Sequence, residues 1–246
     1  MTRDNGWEAS ADAWVAALGP DGDFARLHVL DAPMLARVDA APRTRALDVG
    51  CGEGRFCRKL TARGIAATGV DTGQRLIAEA RRRDPAGRYI IGDACALPLP
   101  AHSVDLVVSY LALIDIDDAE TAIAEMARVL APGGTLLLAN LNSIATANPH
   151  HGWIEADGEK IFPIDHYLTP RREWVGWKSI RIANWHRPLC AYMHAFLAAG
   201  LTLTHFDEPE PESASELAGG DAERAARYRR VPWFVLMEWQ KPLLAA

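Results

Sequence analysis

Between residues 45 and 142, short runs rich in Val, Ile and Leu alternate with helix-like segments. Such alternation restricts a chain to an α/β fold whose largely parallel sheet is covered on both faces. RALDVG (45–50) reads as the first strand, and GRFCRKLTARG (54–64) follows as a helix with Phe56 and Leu60 on its apolar side and Gly64 as its stop. AATGVD (66–71) is a second strand ending on Asp71. RLIAEARRRDP (75–85) predicts a helix halted before Pro85, RYIIGDA (88–94) a third strand and VDLVVSYLAL (104–113) a fourth. AETAIAEMARVLAPGG (119–134) predicts a helix closed by Pro-Gly-Gly, and TLLLANLN (135–142) a fifth strand.

The rhythm breaks over residues 143–183, where His, Trp, Tyr, Pro and scattered charge follow no clean period; this stretch is expected to be an insertion or cap. RPLCAYMHAFLAAG (187–200) restores a helix carrying Tyr192, Phe196 and Leu197, and LTLTHF (201–206) and WFVLMEWQ (233–240) read as strands. The charged, Pro/Glu/Ala-rich stretch between them is expected to be a surface loop with one short helix.

The loop after the first strand carries Gly50, Gly52 and Gly54. Glycines there let backbone approach a ligand lying across the strand ends, where open α/β sheets bind their ligands. The spacing is G-x-G-x-G; the dinucleotide fingerprint G-x-G-x-x-G fails because position 55 is Arg. Asp71 stands 21 positions beyond Gly50, close to where an acid accepts from ribose hydroxyls in such units. Asp93, after the third strand, is a further acid at the same sheet edge; it either accepts from an exocyclic amine or caps a turn. Asp48, inside the first strand, is costly to bury without a partner, and a cationic ligand would supply one.

LDVGCGEGRF, GVD, GDACALPLP, DLVVSYLAL and EMARVLAPGGTLLLAN resemble, in this order, the successive motifs of class I S-adenosylmethionine-dependent methyltransferases, in the small-molecule branch called type 11. The resemblance covers roughly residues 44–141. It implies a Rossmann-like, doubly wound seven-stranded sheet whose antiparallel last strand, WFVLMEWQ, inserts beside LTLTHF. It also implies S-adenosylmethionine as cofactor: Gly50, Cys51 and Gly52 after Asp48 hold its methionine part, Asp71 its ribose, Asp93 and Ala94 its adenine, and Ser109, Tyr110 and Leu111 line it and face the acceptor. The ligand's sulfonium and ammonium suit the acids Asp48, Glu53, Asp71 and Asp93, where a pyrophosphate would be repelled. The domain is then expected as one unit over 1–246: an N-terminal helical lid (1–43), a cofactor-binding core (44–142), an inserted substrate cap (143–185), and a C-terminal helix and strands (186–246). Trp14 reads either as a cover over the cofactor or as a core anchor, and Arg26 and His28 are within reach of the cofactor carboxylate.

Methyl transfer needs a base only if the acceptor must first lose a proton. Candidates are His186, Asp115, Tyr167 and His166, with His186 favoured because HRPL entering a helix resembles a recurrent stretch of the family and because of its ordinary pKa near 6.5. A metal-assisted variant through Asp115, Asp117, Asn140 and Asn142 is set aside, so no metal is expected. Trp153, Tyr167, Trp174, Trp177 and Trp185 read either as the walls of a pocket for a flat or apolar acceptor in the cap or as a small satellite core beneath it.

Net charge is −6, which speaks against nucleic acid, although RRR (81–83) and RYRR (227–230) are short basic runs. No apolar run approaches membrane-spanning length, and the four cysteines show no metal-ligand spacing; a cytoplasmic enzyme with a small-molecule methyl acceptor and no membrane partner is expected, with a homodimer left open. The competing readings are an RNA-modifying methyltransferase of the same fold, a non-catalytic S-adenosylmethionine-binding protein, and a nicotinamide-dependent oxidoreductase.

Overall fold

The computed structural model describes residues 4–211, 217 and 219–243. Its frame is a seven-stranded sheet of β1 (Arg45–Val49), β2 (Ala66–Asp71), β3 (Arg88–Ile91), β4 (Val104–Tyr110), β5 (Leu130–Leu141), β10 (Thr202–Asp207) and β11 (Phe234–Gln240), in the order β10-β11-β5-β4-β1-β2-β3. The strands β3, β2, β1, β4 and β5 run parallel, and β11 lies antiparallel between β5 and β10. This is the Rossmann-like sheet the motifs imply, with its order reversing between β1 and β4. At such a reversal the crossover helices leave to opposite faces and a crevice opens beyond the strand ends.

Period-2 alternation divides the core into two layers. Leu47, Val49, Val107, Leu136, Leu138, Met237 and Trp239 face one side, with α5 (Ala119–Val129) and α7 (Leu189–Ala198) over them. Ala46, Leu106, Val108, Leu137, Ala139 and Leu236 face the other, under α2 (Asp31–Asp39) and α3 (Arg55–Thr61). α4 (Gln74–Arg83) packs Ile77 and Ala80 with Cys57 and Tyr89. α5 begins at Asp118, whose carboxylate accepts from Thr121 N at 3.0 Å. It ends at Val129, short of the Pro-Gly-Gly expected to close it, because Leu130 already pairs with Val104 and β5 takes over.

Residues 143–186 are more regular than their sequence suggested. After α6 (Ser143–Thr146) come two hairpins, β6 (Ile154–Ala156) with β7 (Glu159–Ile161), and β8 (Arg171–Trp177) with β9 (Ile180–His186). β9 meets the N-terminal helix α1 (Trp7–Leu18): Ala183 N donates to Asn5 O at 2.9 Å, and Ser10 Oγ donates to Arg181 O at 3.1 Å. A Cβ on Gly6 would lie 2.2 Å from Arg181 O, so this close approach requires glycine. α1, a single π-helical stretch at Arg26–Leu30 and β9 therefore close over the carboxyl ends of the central strands. The chain is completed by α8 (Gly220–Tyr228), the short helix expected between the last strands. Among the described residues no helix is long and apolar enough to cross a membrane, and the four cysteines are free thiols.

Candidate active site

A cavity of about 850 Å³ opens at the sheet reversal, between the ends of β1, β2 and β4 and the roof formed by α1 and β9. Its floor is the glycine loop. Gly50 has φ +75°, and a Cβ there would stand 2.3 Å from that of Ala112, so the turn is sterically reserved for glycine. Gly50 N and Cys51 N donate to Val70 O at 2.8 and 3.1 Å, which ties the loop to β2. Gly52 has φ +54° and no atom within 4 Å of an added Cβ: here the backbone is bare toward the cavity.

Four acids surround this floor at different depths. Asp48 is 1% exposed. Burial pushes its carboxyl up to about 7, the hydrogen bond from Cys57 Sγ (3.5 Å) opposes that shift, and the nearby Asp71 and Glu53 charges add to it. Its Oδ1 is buried without a hydrogen-bond partner among the described residues. Asp71 accepts from Gly52 N at 2.8 Å and Gly73 N at 2.7 Å; burial raises its pKa and the two backbone N–H groups offset part of the rise. Asp93 Oδ1 accepts from Cys95 N at 2.9 Å and so begins the turn holding Ala94, and the residue lines the cavity. Asp115 lies on the turn after β4 and accepts from Asn184 Nδ2 of β9 and from the Trp7 side chain of α1. Burial pushes it up to about 8.

The remaining wall comes from Trp14, Tyr110, Leu111, Arg26 and Trp185. Trp7 and Trp14 meet edge to face with centroids 5.2 Å apart. The Arg26 guanidinium lies 5.0 Å from the Trp14 ring centre and 5.7 Å from that of Tyr110, and is paired with Asp23 at 2.9 Å. Arg55, the other cavity cation, is fully engaged: its fork grips Asp31, which also accepts from Tyr110 Oη at 2.9 Å. Leu111 takes φ +57°, a strained turn at the end of β4 that sets the backbone against the cavity.

Several expected residues lie elsewhere. Ser109 is fully buried on the opposite face of β4 from Tyr110, with its hydroxyl unpartnered, because strand alternation turns neighbours to opposite sides. His186 ends β9, and the HRPL stretch leads into α7 as expected, but the residue is outside the cavity lining. Its Nε2 donates to Tyr167 O at 2.8 Å, which obliges Nδ1 to accept from Thr146 Oγ1 at 2.7 Å. With both ring nitrogens occupied and burial lowering its pKa, it is a strut holding the cap, not a base facing an acceptor. Tyr167 lies beside it, its hydroxyl accepting from Leu189 N at 3.3 Å at the start of α7. His166 is an exposed surface residue beside Asp165. Glu53 lines the cavity but is committed to Arg58 (2.7 Å) and Arg83 (3.0 Å). His28 packs against Phe24 and does not reach the cavity.

Of the cap aromatics only Trp185 lines the cavity. Trp153 packs with Phe162, and Trp174 sits under Arg172 and Arg181. Trp177 touches Trp14 from outside. Asn142 caps α6 and donates to Glu208, and Asn140 is buried in β5, so they do not converge with Asp115 and Asp117. The basic run 81–83 is folded into the molecule: Arg81 donates to Tyr89 O, and Arg82 and Arg83 pair with Glu79. Trp7 and Asn184 were not anticipated. The spacing of Trp7 and Trp14, two helical turns apart, carried a signal for the first. Asn184 has none, since its place depends on a hairpin without periodicity.

A family model described as a methyltransferase domain (Methyltransf_11) matches residues 47–138. A solved S-adenosylmethionine-dependent methyltransferase from Mesorhizobium loti is 26% identical and superposes with a TM-score of 0.75 over 90% of this chain and all of that one. Residues 47–138 thus resemble that family, and the fold is that of the class I S-adenosylmethionine-dependent methyltransferases. Curated relatives of this chain include the malonyl-[acyl-carrier protein] O-methyltransferase of Serratia marcescens, 32% identical over 62% of this chain and 60% of that protein. The demethylmenaquinone methyltransferase of Renibacterium salmoninarum is 29% identical over 74% of this chain and 84% of that protein. The chain spans only 49–63% of the length of three such O-methyltransferases that it matches.

Proposed function

We propose that this protein transfers a methyl group from S-adenosylmethionine to an oxygen or nitrogen of a small-molecule acceptor. The observation that carries the reading is the buried, unpartnered Asp48 Oδ1 beside a backbone left bare at Gly52: a cationic group seated on open backbone satisfies both. In this reading Asp48 and the backbone of Gly50, Cys51 and Gly52 hold the ammonium end of the cofactor, and Arg26 its carboxylate. Asp71 accepts from the ribose hydroxyls with the lone pairs its two backbone bonds leave open, and Asp93 and Ala94 take the adenine edge. Trp14, Tyr110 and Leu111 cover it. The bound cofactor supplies an activated methyl group on a sulfonium. The protein's own contribution is to align an acceptor with that carbon and to exclude water, work suited to a roofed cavity.

Calorimetric titration with S-adenosylmethionine, run beside NADH, tests this. Micromolar binding of the first alone, weakened at least tenfold in Asp71→Ala, is the expected result. Absence of binding, or preference for NADH, overturns the proposal.

A further inference from the structure

The proposed cofactor contacts leave one cavity group without a task. Asp48, Asp71, Asp93 and Arg26 are assigned to the two ends and the nucleoside of the ligand. Arg55 is neutralised by Asp31, and Glu53 by Arg58 and Arg83. At the rim, Glu8 pairs with Arg75 and Asp117 with Arg172. Asp115 lies below that rim and has no cation within ion-pair distance among the described residues. Its partners are two neutral donors, Asn184 and Trp7, which fix the carboxyl from the cap and the lid and leave it further lone pairs. Trp14 and Trp185 line the same cavity as Trp7.

Resting on the methyltransferase reading above, we propose that the acceptor is an amine, recognised as its ammonium by Asp115 and the tryptophan walls and methylated on nitrogen. A carboxylate there would meet a like charge with no free cation to receive it, and an alcohol would leave the acid without its ion partner. A cation instead gains the carboxylate inside a recess walled by indoles. Burial, which pushes Asp115 up to about 8, also suits it to take a proton from an ammonium. In the step that follows, the ammonium gives one proton to an Asp115 oxygen. The freed nitrogen lone pair forms the new N–C bond while the C–S bond of the donor breaks with its electron pair left on sulfur. The product is a methylated ammonium and a neutral thioether, and Asp115 then returns its proton to water. The bonds Asp115 makes to residues 7 and 184 mean that both roof elements must be in place for this geometry.

The test is calorimetry on the full chain saturated with S-adenosylhomocysteine, titrated with phenethylamine and tryptamine, with 2-phenylethanol and with 3-phenylpropionate. At least one amine is expected to bind ten times more tightly than the alcohol and the acid, and to yield S-adenosylhomocysteine when S-adenosylmethionine is supplied. Asp115→Asn should lower amine affinity tenfold or more with S-adenosylhomocysteine affinity unchanged, and Asp115→Glu should restore part of it. Equal or tighter binding of the alcohol or acid, failure of both amines to bind, or amine binding unchanged in Asp115→Asn overturns the inference. Failure to bind S-adenosylhomocysteine in the first place removes the methyltransferase reading itself, so the two failures are told apart.

Discussion

Two glycines five atoms of backbone apart do different work, and substitution separates them. Both Gly50 and Gly52 hold positive φ, so alanine costs each about 1–2 kcal/mol of backbone strain. At Gly50 the new Cβ also collides with Ala112 at 2.3 Å, and relief requires the β1 loop and the turn after β4 to separate. At Gly52 the methyl meets only open cavity. Gly50→Ala is therefore expected to lower the melting temperature markedly. Gly52→Ala should melt within a few degrees of the parent yet bind S-adenosylmethionine at least tenfold more weakly, because the methyl occupies space the ligand needs. Thermal denaturation and calorimetry on both proteins check this; a Gly52→Ala protein with full affinity would show that the ligand does not approach the bare backbone. Glycine identity was legible in the sequence, but this division of roles was not. Only the position of Ala112, 62 residues further along, distinguishes them.

Elements with a strong period were legible and those without were not. β1, β2 and β4 are apolar runs buried on both faces, and α4 and α5 have clear apolar sides, so their positions followed from the sequence to within a few residues. In the cap, β8 is half-exposed throughout, and its two-residue turn to β9 is Lys178-Ser179, with Lys178 at φ +50° where glycine or asparagine would have announced a hairpin. The turn of the other hairpin, Asp157-Gly158, did carry that signal, both residues taking positive φ. The unread hairpin hid the place of its histidine: His186 reads as a base in sequence from the family-like HRPL stretch and its ordinary pKa, and as a strut in space because β9 carries it away from the cavity. Removing it should act on the element and not on the chemistry. His186→Ala leaves the Tyr167 carbonyl without its partner and the Thr146 hydroxyl with only Ser143 O, a loss of about 1–3 kcal/mol. The expected outcome is a lower denaturation midpoint with an unaltered pH profile of kcat/KM in the folded enzyme; loss of a kinetic pKa near neutrality would restore the base role.

At the scale of the whole molecule, the cavity stores unfavourable charge that its ligand relieves, and pH exposes the coupling. Asp48 is raised to about 7 and Asp115 to about 8 from an ordinary 3.8, and Asp71 is raised as well. Between pH 4 and these values the native state holds protons that the unfolded chain has released, so stability falls as pH rises through that window and levels off above it. His186 works in the opposite sense: its lowered pKa means the native state resists protonation, so stability is recovered as pH rises toward its unfolded value near 6.5, and the contribution is complete above that. The acids tightened by arginines, Glu79 at about 2 and Asp31 and Glu238 below their ordinary values, lose stability only in more acidic solution. The window from pH 6.5 to 8 is therefore governed by the cavity acids. One retained proton changes stability by up to about 1.4 kcal/mol per pH unit, or roughly 4 °C in a chain of this size. The free protein should melt several degrees lower at pH 8 than at pH 6.5. If, as proposed, S-adenosylmethionine sets its ammonium against the ionised Asp48, the ligand-induced rise in melting temperature should widen over the same interval, and Asp48→Asn should flatten both trends. Melting curves at four pH values with and without ligand measure this directly. A stabilisation by ligand that shrinks as pH rises would place the cationic end of the cofactor away from Asp48.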